Sequence, residues 1–258
     1  MYAVVAPSIS SQFVHVKVGQ VITALKELGF CSVIEAALGA DMVAYKEARE
    51  LAEKGFLTSS CCPAFVTFIE KSFPNLKEHI SHNYSPMAEL GRFIKRTDPT
   101  AKVIFIGPCT AKKAEIQRED VKGLVDVALT FEELQALFDS KNIELEDLEE
   151  TPIDQASYFG RVFARSGGLT EAMAQGLKEL GSDIELKPET CNGIEMCRVA
   201  MLKKSRNLLQ GNFVEGMACN GGCIGGAGAL VKFAVKKDNV DKYAKSSGIP
   251  TITDSVNR

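Results

Sequence analysis

Tryptophan is absent from this 258-residue sequence, and histidine occurs only three times. With so few imidazoles, a metal site that mixes His and Cys ligands has little material, so all-cysteine ligation is the better expectation. Basic runs are also missing, because 30 Lys and Arg stand against 33 Asp and Glu, for a net charge of −3. That balance argues against a nucleic-acid-binding surface and against attraction to an anionic membrane.

Long apolar runs are missing as well. No stretch approaches the roughly 20 apolar residues that a transmembrane helix needs. The N-terminal segment MYAVVAPSIS has neither the charged start nor the long apolar stretch of a secretory signal. We therefore expect no membrane partner, no nucleic-acid partner and a cytoplasmic location.

Cysteine, in contrast, is abundant. A chain of this length can bury its own core and does not need a disulfide framework, so clustered cysteines in a reducing compartment indicate metal ligands or reactive thiols. The eight cysteines are Cys31, Cys61, Cys62, Cys109, Cys191, Cys197, Cys219 and Cys223. We expect Cys31, in the apolar stretch FCSVI, to be an ordinary buried residue.

Strand patterns alternate with helix patterns along the chain. The predicted strands cover residues 2–6, 31–36, 103–107, 125–130, 183–187 and 212–218, and the predicted helices cover 19–30, 41–54, 131–138 and 195–205. Thr130 with Glu133 forms a capping-box pattern at the start of the third helix. Such alternation predicts an α/β fold with mostly parallel sheets flanked by helices.

Three cysteine-bearing stretches share one local design: SSCCPAF at 59–65, GPCTAKKAE at 107–115 and EGMACNGGCIGGAG at 215–228. Each places cysteine where a predicted strand ends, and such ends border the ligand crevice of α/β sheets. The third stretch holds six glycines, whose backbone can approach a bulky group closely. A zinc site usually has two close cysteine pairs, whereas only one spaced pair occurs in this set. The pattern favours a large metal cluster.

These stretches resemble, in order, the three signature motifs of the iron-iron ([FeFe]) hydrogenase catalytic domain: TSCCPxW, MPCxxKxxE and ExMACxxGCxxGGG. The resemblance implies one domain over residues 1–258, with two lobes and the H-cluster in the cleft between them. The ferredoxin-like CxxCxxC runs that commonly precede this domain do not occur in the sequence. Either the chain is a trimmed form, or electrons enter the cluster directly from a partner.

The resemblance also implies a cofactor and its contacts. The implied ligands of a [4Fe-4S] cubane are Cys62, Cys109, Cys219 and Cys223. The last of these would also bridge to a [2Fe] subcluster that carries carbon monoxide, cyanide and azadithiolate. Lys112 matches a donor to one cyanide, and Ser8 with the backbone at Pro7 matches the residues that hold the other. Phe163 and Met217 match apolar groups that shield the di-iron site. On the residues alone, a solvated Lys112, a turn-capping Ser8 and two plain core residues remain open alternatives.

A proton path is implied too. By the resemblance, Cys61 passes protons to and from the azadithiolate amine, and Glu47, Ser81 and Glu50 continue the relay. Each member can accept and donate a proton in some protonation state. Without the motif match, the charged stretch AYKEARELAEK favours an exposed helix face instead. Lys54 takes the place of an arginine often found beyond the path.

The sequence departs from the family pattern at several positions. Gly107 stands in place of a methionine, so we expect a gap or extra water on that side of the di-iron pocket. Phe65 replaces a tryptophan, and Met87 replaces a glutamine that would donate near the cluster. Cys191 and Cys197 resemble features of divergent, sensory branches; they could ligate a group, react with oxidants or remain unpaired at a helix start, and we favour the last.

The function implied is reversible oxidation of H2 and reduction of protons, by a hydrogenase linked to ferredoxin or another electron-transfer protein. Maturation proteins would load the di-iron part. One alternative is an H2-sensing module that uses the same cluster with low turnover. A second alternative is a scaffold protein of iron–sulfur assembly that carries only a cubane, against which the Cys61-Cys62 doublet argues.

Overall fold

Two parallel β-sheets organise the chain in its computed structural model, which describes residues 1–231 and 237–257. One sheet has the strand order β2-β1-β4-β5 and the other the order β3-β7-β6, and every pairing is parallel. The strands are β1 Tyr2–Val5, β2 Ser32–Glu35, β3 Leu57–Thr58, β4 Val103–Gly107, β5 Val127–Thr130, β6 Pro188–Asn192 and β7 Phe213–Met217. The predicted α/β class is confirmed. Residues 232–236 and 258 of the predicted domain span lie outside the described residues.

Helices flank both sheets. They are α1 Val18–Glu27, α2 Ala36–Lys54, α3 Pro63–Ser72, α4 Pro86–Thr97, α5 Ala111–Glu115, α6 Phe131–Ser140, α7 Tyr158–Val162, α8 Gly168–Glu179, α9 Ile194–Ser205, α10 Lys237–Lys245 and α11 Ile252–Val256. Short 3-10 segments cover Pro7–Ser11, Pro74–His79, Leu145–Asp147 and Gly222–Gly225. Within the described ranges, no helix is long and apolar enough to cross a membrane.

Helix α2 lies at the centre of the molecule. It packs against α4, α7, α8 and α11, so residues on several of its sides are buried. A Cβ atom at Gly39 would lie 2.2 Å from the carbonyl oxygen of Pro86, so only glycine allows α2 and α4 to approach this closely. The predicted start at residue 41 is too late, because the helix begins at Ala36. Two acids of its charged second half, Glu47 and Glu50, are buried, whereas Arg49 and Glu53 are exposed.

The larger sheet carries the main apolar core. β4 is buried at all five positions, and the ring of Phe13 makes edge contacts with Phe131 and Phe138 at centroid distances of 6.3 and 6.0 Å. The predicted capping box of α6 is confirmed, because Thr130 Oγ1 accepts from the backbone of Glu133 and the Glu133 carboxylate accepts from the backbone of Thr130. This cap fixes the turn between β5 and α6.

Two local predictions are wrong. No strand covers residues 183–187; the strand that pairs with β7 is β6, in the polar sequence PETCN, with Cys191 opposite Gly216. Ile184 and Leu186 lie in a loop and pack against an apolar cluster. They alternate with polar residues, and this alternation resembles the pattern of a strand. Cys31 is exposed rather than buried, because it lies just before β2 beside the N-terminus, where its thiol donates to the carbonyl of Met1 at 2.9 Å.

Candidate metal centre

A cavity lies where the carboxyl ends of strands from both sheets meet. It measures about 780 Å³, counted with the open space at its mouth. Segments that follow β1, β3, β4 and β7 line it, as expected for the ligand crevice of an α/β sheet. Its wall contains five cysteines: Cys61, Cys62, Cys109, Cys219 and Cys223. The structure therefore brings the three predicted cysteine stretches to one site.

The adjacent cysteines of the doublet face different surroundings. Cys61 packs against the apolar cluster that includes Leu57 and Phe163, whereas Cys62 packs against the cluster that includes Phe65. Cys62 has extended dihedral angles (φ −100°, ψ 104°) and directly precedes α3. An extended backbone directs consecutive side chains to opposite sides, which accounts for this separation.

Three of the predicted ligand cysteines have raised pKa values. Burial, with a further contribution from neighbouring cysteines, raises the pKa of Cys109 and Cys223 above the usual range and raises the pKa of Cys219 to about 11. Deprotonation of such a set is unfavourable unless a positively charged group offsets it. The donor set therefore suits a cationic metal centre, which would convert the thiols to thiolates.

The donors fit a cluster better than a single ion. Among the described residues, no three His, Cys, Asp or Glu side chains lie close enough together to hold one metal ion. The thiols instead line the wall of the cavity. Soft thiolates around a bulky space are the ligands that iron–sulfur clusters use.

The glycine-rich stretch packs against protein rather than only against the cavity. A Cβ atom at Gly226 would lie 2.3 Å from the carbonyl oxygen of Pro108, and one at Gly228 would lie 2.5 Å from Thr130. These glycines let the third cysteine stretch lie directly on the second. Cys109 and Cys223 therefore line the same cavity.

Ser8 and Lys112 are the two polar side chains predicted from the sequence that line the cavity together with the cysteines. Ser8 is fully buried, and its Oγ has no hydrogen-bond partner among the described residues, so the turn-cap alternative is not supported. Lys112 is 7% exposed, and its Nζ donates to Glu115 Oε2 at 2.6 Å and to the carbonyl of Cys61 at 3.3 Å. Burial alone lowers the Lys112 pKa, but the Glu115 carboxylate raises it more, so the group stays charged. Pro7 also lines the cavity.

The remaining wall is apolar. Phe163 and Met217 are buried and line the cavity, and so does Met87, which leaves no side-chain donor at its position. The predicted gap at Gly107 is wrong: a Cβ atom there would lie 2.7 Å from the ring of Phe105. The Phe105 ring fills the space and lines the cavity.

The two acids of the predicted relay are buried, not exposed. Glu47 is 0% exposed; its Oε1 accepts from the backbone and hydroxyl of Ser60 at 3.0 and 2.9 Å, and its Oε2 has no partner in the described part of the chain. Burial raises the pKa of Glu47 to about 7. Burial, and then the Glu47 carboxylate, raise the pKa of Cys61 well above the usual range. Ser60, which holds Glu47, directly precedes Cys61 in the chain.

The line continues toward the surface. Ser81 Oγ donates to Glu50 Oε2 at 3.0 Å, and the same hydroxyl lowers the pKa of Glu47. Glu50 is almost buried and accepts from Asn83 Nδ2 at 2.8 Å and from Lys54 Nζ at 2.6 Å. Sequence reasoning missed Asn83 and Ser60. The position of Ser60 directly before the cysteine doublet was the available signal.

The remaining cysteine pair lies beside the site. Cys191 and Cys197 are both buried, and Cys197 Sγ donates to the carbonyl of Met217 at 3.7 Å. They belong to the apolar cluster on which Cys62 packs, and neither forms a disulfide. A hydrogen bond with Cys191 and then burial raise the pKa of Cys197, so it is held as a neutral thiol.

The chain is similar to proteins of a known family. Residues 1–227 match the family model described as iron only hydrogenase large subunit, C-terminal domain. Iron hydrogenase 1 of Clostridium pasteurianum is 30% identical over 258 residues, which cover 81% of this chain and 45% of that protein. The cytosolic Fe-S cluster assembly factor NAR1 of Kluyveromyces lactis is 36% identical over 91 residues, which cover 35% of this chain and 19% of that protein.

The fold is shared with solved structures. One [FeFe]-hydrogenase, solved in work on oxygen inactivation, aligns with a TM-score of 0.80 over 99% of this chain and 87% of that chain, at 20% identity. The chain spans about half the length of the curated hydrogenases that it matches. Since the family model covers most of the described residues, the chain belongs to the family formed by the C-terminal domains of iron only hydrogenase large subunits.

Proposed function

We propose that this chain interconverts H2 with protons and electrons at an H-cluster. The observation that carries the proposal is the line of Cys61, Glu47, Ser81 and Glu50, which starts with the half-buried Cys61 at the wall of the thiol-lined cavity and continues through three buried residues. Burying two carboxyls beside each other is costly. A protein that only carries electrons has no use for such a line, whereas proton reduction requires one.

Several residues would hold the cofactor. When bound, the H-cluster supplies the redox chemistry by which H2 is formed or split. Its [4Fe-4S] part would be held by the thiolates of Cys62, Cys109, Cys219 and Cys223. Lys112 and the hydroxyl of Ser8, which has no partner among the described residues, would supply donors to cyanide groups of the [2Fe] part. Phe163, Met217 and Phe105 keep water from the apolar end of the cavity.

The chain's own residues move the proton. Cys61 is held as a neutral thiol, so it can donate its proton and then take up another from the relay. Glu47 has a pKa of about 7, so both its forms are populated near neutral pH, as a relay member requires. Ser60 fixes one oxygen of Glu47 and leaves the other available for the proton. Ser81 then connects Glu47 with Glu50 near the surface.

The partners follow from this reaction. H2 and protons are the substrates, and a ferredoxin or another electron-transfer protein exchanges electrons with the cubane. Separate maturation proteins supply the [2Fe] part. The location is proposed to be the cytoplasm.

Two further candidates have specific support. The match to NAR1 favours a cubane-only role in iron–sulfur assembly. Met87, which offers no side-chain donor to the cavity, favours an H2 sensor with slow turnover. The buried relay beside Cys61 supports the hydrogenase over both.

One reconstitution distinguishes the three. The cubane is reconstituted anaerobically, a synthetic di-iron precursor is added, and infrared spectra and H2 evolution from a reduced viologen are recorded. The hydrogenase requires carbonyl and cyanide bands together with turnover. Bands with negligible turnover favour the sensor, and an iron–sulfur absorption without those bands favours the scaffold. Cys61→Ala should keep the bands and lower turnover roughly 100-fold or more, whereas the exposed thiol control Cys31→Ala should change neither.

A further inference from the structure

The line of Cys61, Glu47, Ser81 and Glu50 ends at Glu50, and the side chain of His82 lies beside this last acid. The side chain of His82 is 74% exposed, and its Nδ1 lies 3.6 Å from Glu50 Oε1. The Lys54 ammonium donates to Glu50 Oε1 at 2.6 Å, and its Nζ lies 3.2 Å from the imidazole Nδ1. The backbone N–H of His82 also donates to the Glu50 carboxylate, at 3.1 and 3.2 Å to its two oxygens. The ring is therefore tied to the acid on one side and open to water on the other.

A second cavity reaches the same point. It measures about 950 Å³, counted with its open mouth, and Ser60, Ser81, His82 and Asn83 are among its lining residues. Ser60 and Ser81 are the hydroxyls that hold Glu47 and Glu50. This space therefore borders the residues that hold Glu47 and Glu50, and the imidazole of His82 is part of its wall.

The chemistry of imidazole suits this position. It is the side chain that ordinarily changes its charge near neutral pH, and its two nitrogens can receive a proton on one side and release one on the other. Lys54 on α2 faces the ring together with Glu50. The other charged groups around the second cavity are Glu70, Lys77, Glu115, Arg118 and Asp120.

We propose that His82 is the proton-exchange residue between solvent and the buried line. The imidazolium gives its proton to the Glu50 carboxylate across the 3.6 Å contact, which leaves a neutral ring and a neutral carboxyl. The ring then takes a new proton from water through its exposed side, and the reverse sequence serves H2 oxidation. No electron moves in this step. The inference rests on the proposed hydrogenase function, whose line it extends to the surface.

The test uses the reconstituted protein at neutral pH in dilute buffer, where proton supply depends on the surface group. His82→Gln keeps the backbone N–H that holds Glu50 and removes only the ring. We expect turnover to fall about tenfold, with unchanged infrared bands, and to recover when imidazole is added to the buffer. The matched controls are the other two histidines: His15→Gln and His79→Gln should keep wild-type turnover.

A second measurement does not depend on turnover. In protein labelled with nitrogen-15 at histidine, Glu50→Gln should displace the ring-nitrogen resonances of His82 and leave those of His15 in place. Unchanged His82 resonances would refute the contact.

The outcomes separate this inference from the proposed function. If wild-type protein turns over and His82→Gln matches it in dilute buffer, the inference is overturned and the hydrogenase function stands. If turnover of His82→Gln falls and added imidazole does not restore it, His82 has a structural role, and the inference is again overturned. If wild-type protein shows no turnover, the proposed function fails, and the proton-exchange role fails with it.

Discussion

Protonation of Glu47 should make the stability of the protein depend on pH. Its pKa is raised from 4.5 to about 7, with burial as the main cause. In the unfolded chain the carboxyl ionises near the lower value, so the unfolded state loses its proton first as the pH rises. The folded state is therefore favoured by this group below pH 4.5, and that contribution is lost as the pH rises toward and through 7.

The size of the effect follows from the two pKa values. Each pKa unit corresponds to about 1.4 kcal/mol, so the full loss is about 3 kcal/mol, of which about 2.5 kcal/mol falls between pH 5 and pH 8. Glutamine does not titrate. Replacing Glu47 with glutamine leaves a buried amide whose cost is the same at every pH. The free energy of unfolding of Glu47→Gln relative to wild type should therefore rise by about 2.5 kcal/mol from pH 5 to pH 8.

Urea unfolding of the reduced protein before reconstitution, followed by far-ultraviolet circular dichroism, measures this difference. Glu53→Gln is the matched control, because Glu53 is exposed on the same helix, and its offset from wild type should be constant. A Glu47→Gln offset that changes by less than about 0.5 kcal/mol over this range would refute a neutral buried carboxyl at Glu47.

Three further substitutions test the cavity wall. Ser8→Ala removes a buried hydroxyl without a partner among the described residues, so urea unfolding should show equal or higher stability, while a cyanide infrared band shifts in reconstituted protein. Glu115→Gln removes the carboxylate 2.6 Å from the buried Lys112 ammonium and should cost about 3 kcal/mol; adding Lys112→Met should recover most of that loss, and no recovery would contradict the pairing. Gly107→Ala places a Cβ atom against the Phe105 ring and should cost about 1–3 kcal/mol in thermal unfolding, but less in a Phe105→Leu background.

Local patterns predicted the elements whose causes are local. β4 has the predicted bounds, because a continuous apolar run before a Gly-Pro pair indicates a buried strand by itself. The capping box at Thr130 likewise depends on two residues that are three apart. The cysteines of the three motifs were expected at strand ends, and all of them line the same cavity.

Features that depend on residues distant in the sequence could not be predicted from local patterns. β6 is a strand because β7 pairs with it, although its own sequence is polar. Glu47 and Glu50 lie in a charged stretch that by itself predicts an exposed helix face, and they are buried because segments distant in sequence, at Ser60 and at 81–83, contact their carboxylates. The Phe105 ring fills the space beside Gly107 through a contact two residues along the same strand, and motif spacing does not reveal which way that ring turns.

The division between Cys61 and Cys62 links the fold with the proposed chemistry. Because the two side chains pack against different apolar clusters, one thiol can bind a metal while its neighbour stays protonated beside Glu47. The backbone geometry that separates them is fixed by Pro63, which begins α3 directly after the doublet. The proposed cluster ligand Cys62 and the proposed proton donor Cys61 are thus neighbours in the chain whose side chains point in different directions. A cubane scaffold needs only Cys62 of the two, so the buried surroundings of Cys61 are what argue for hydrogen chemistry in this chain.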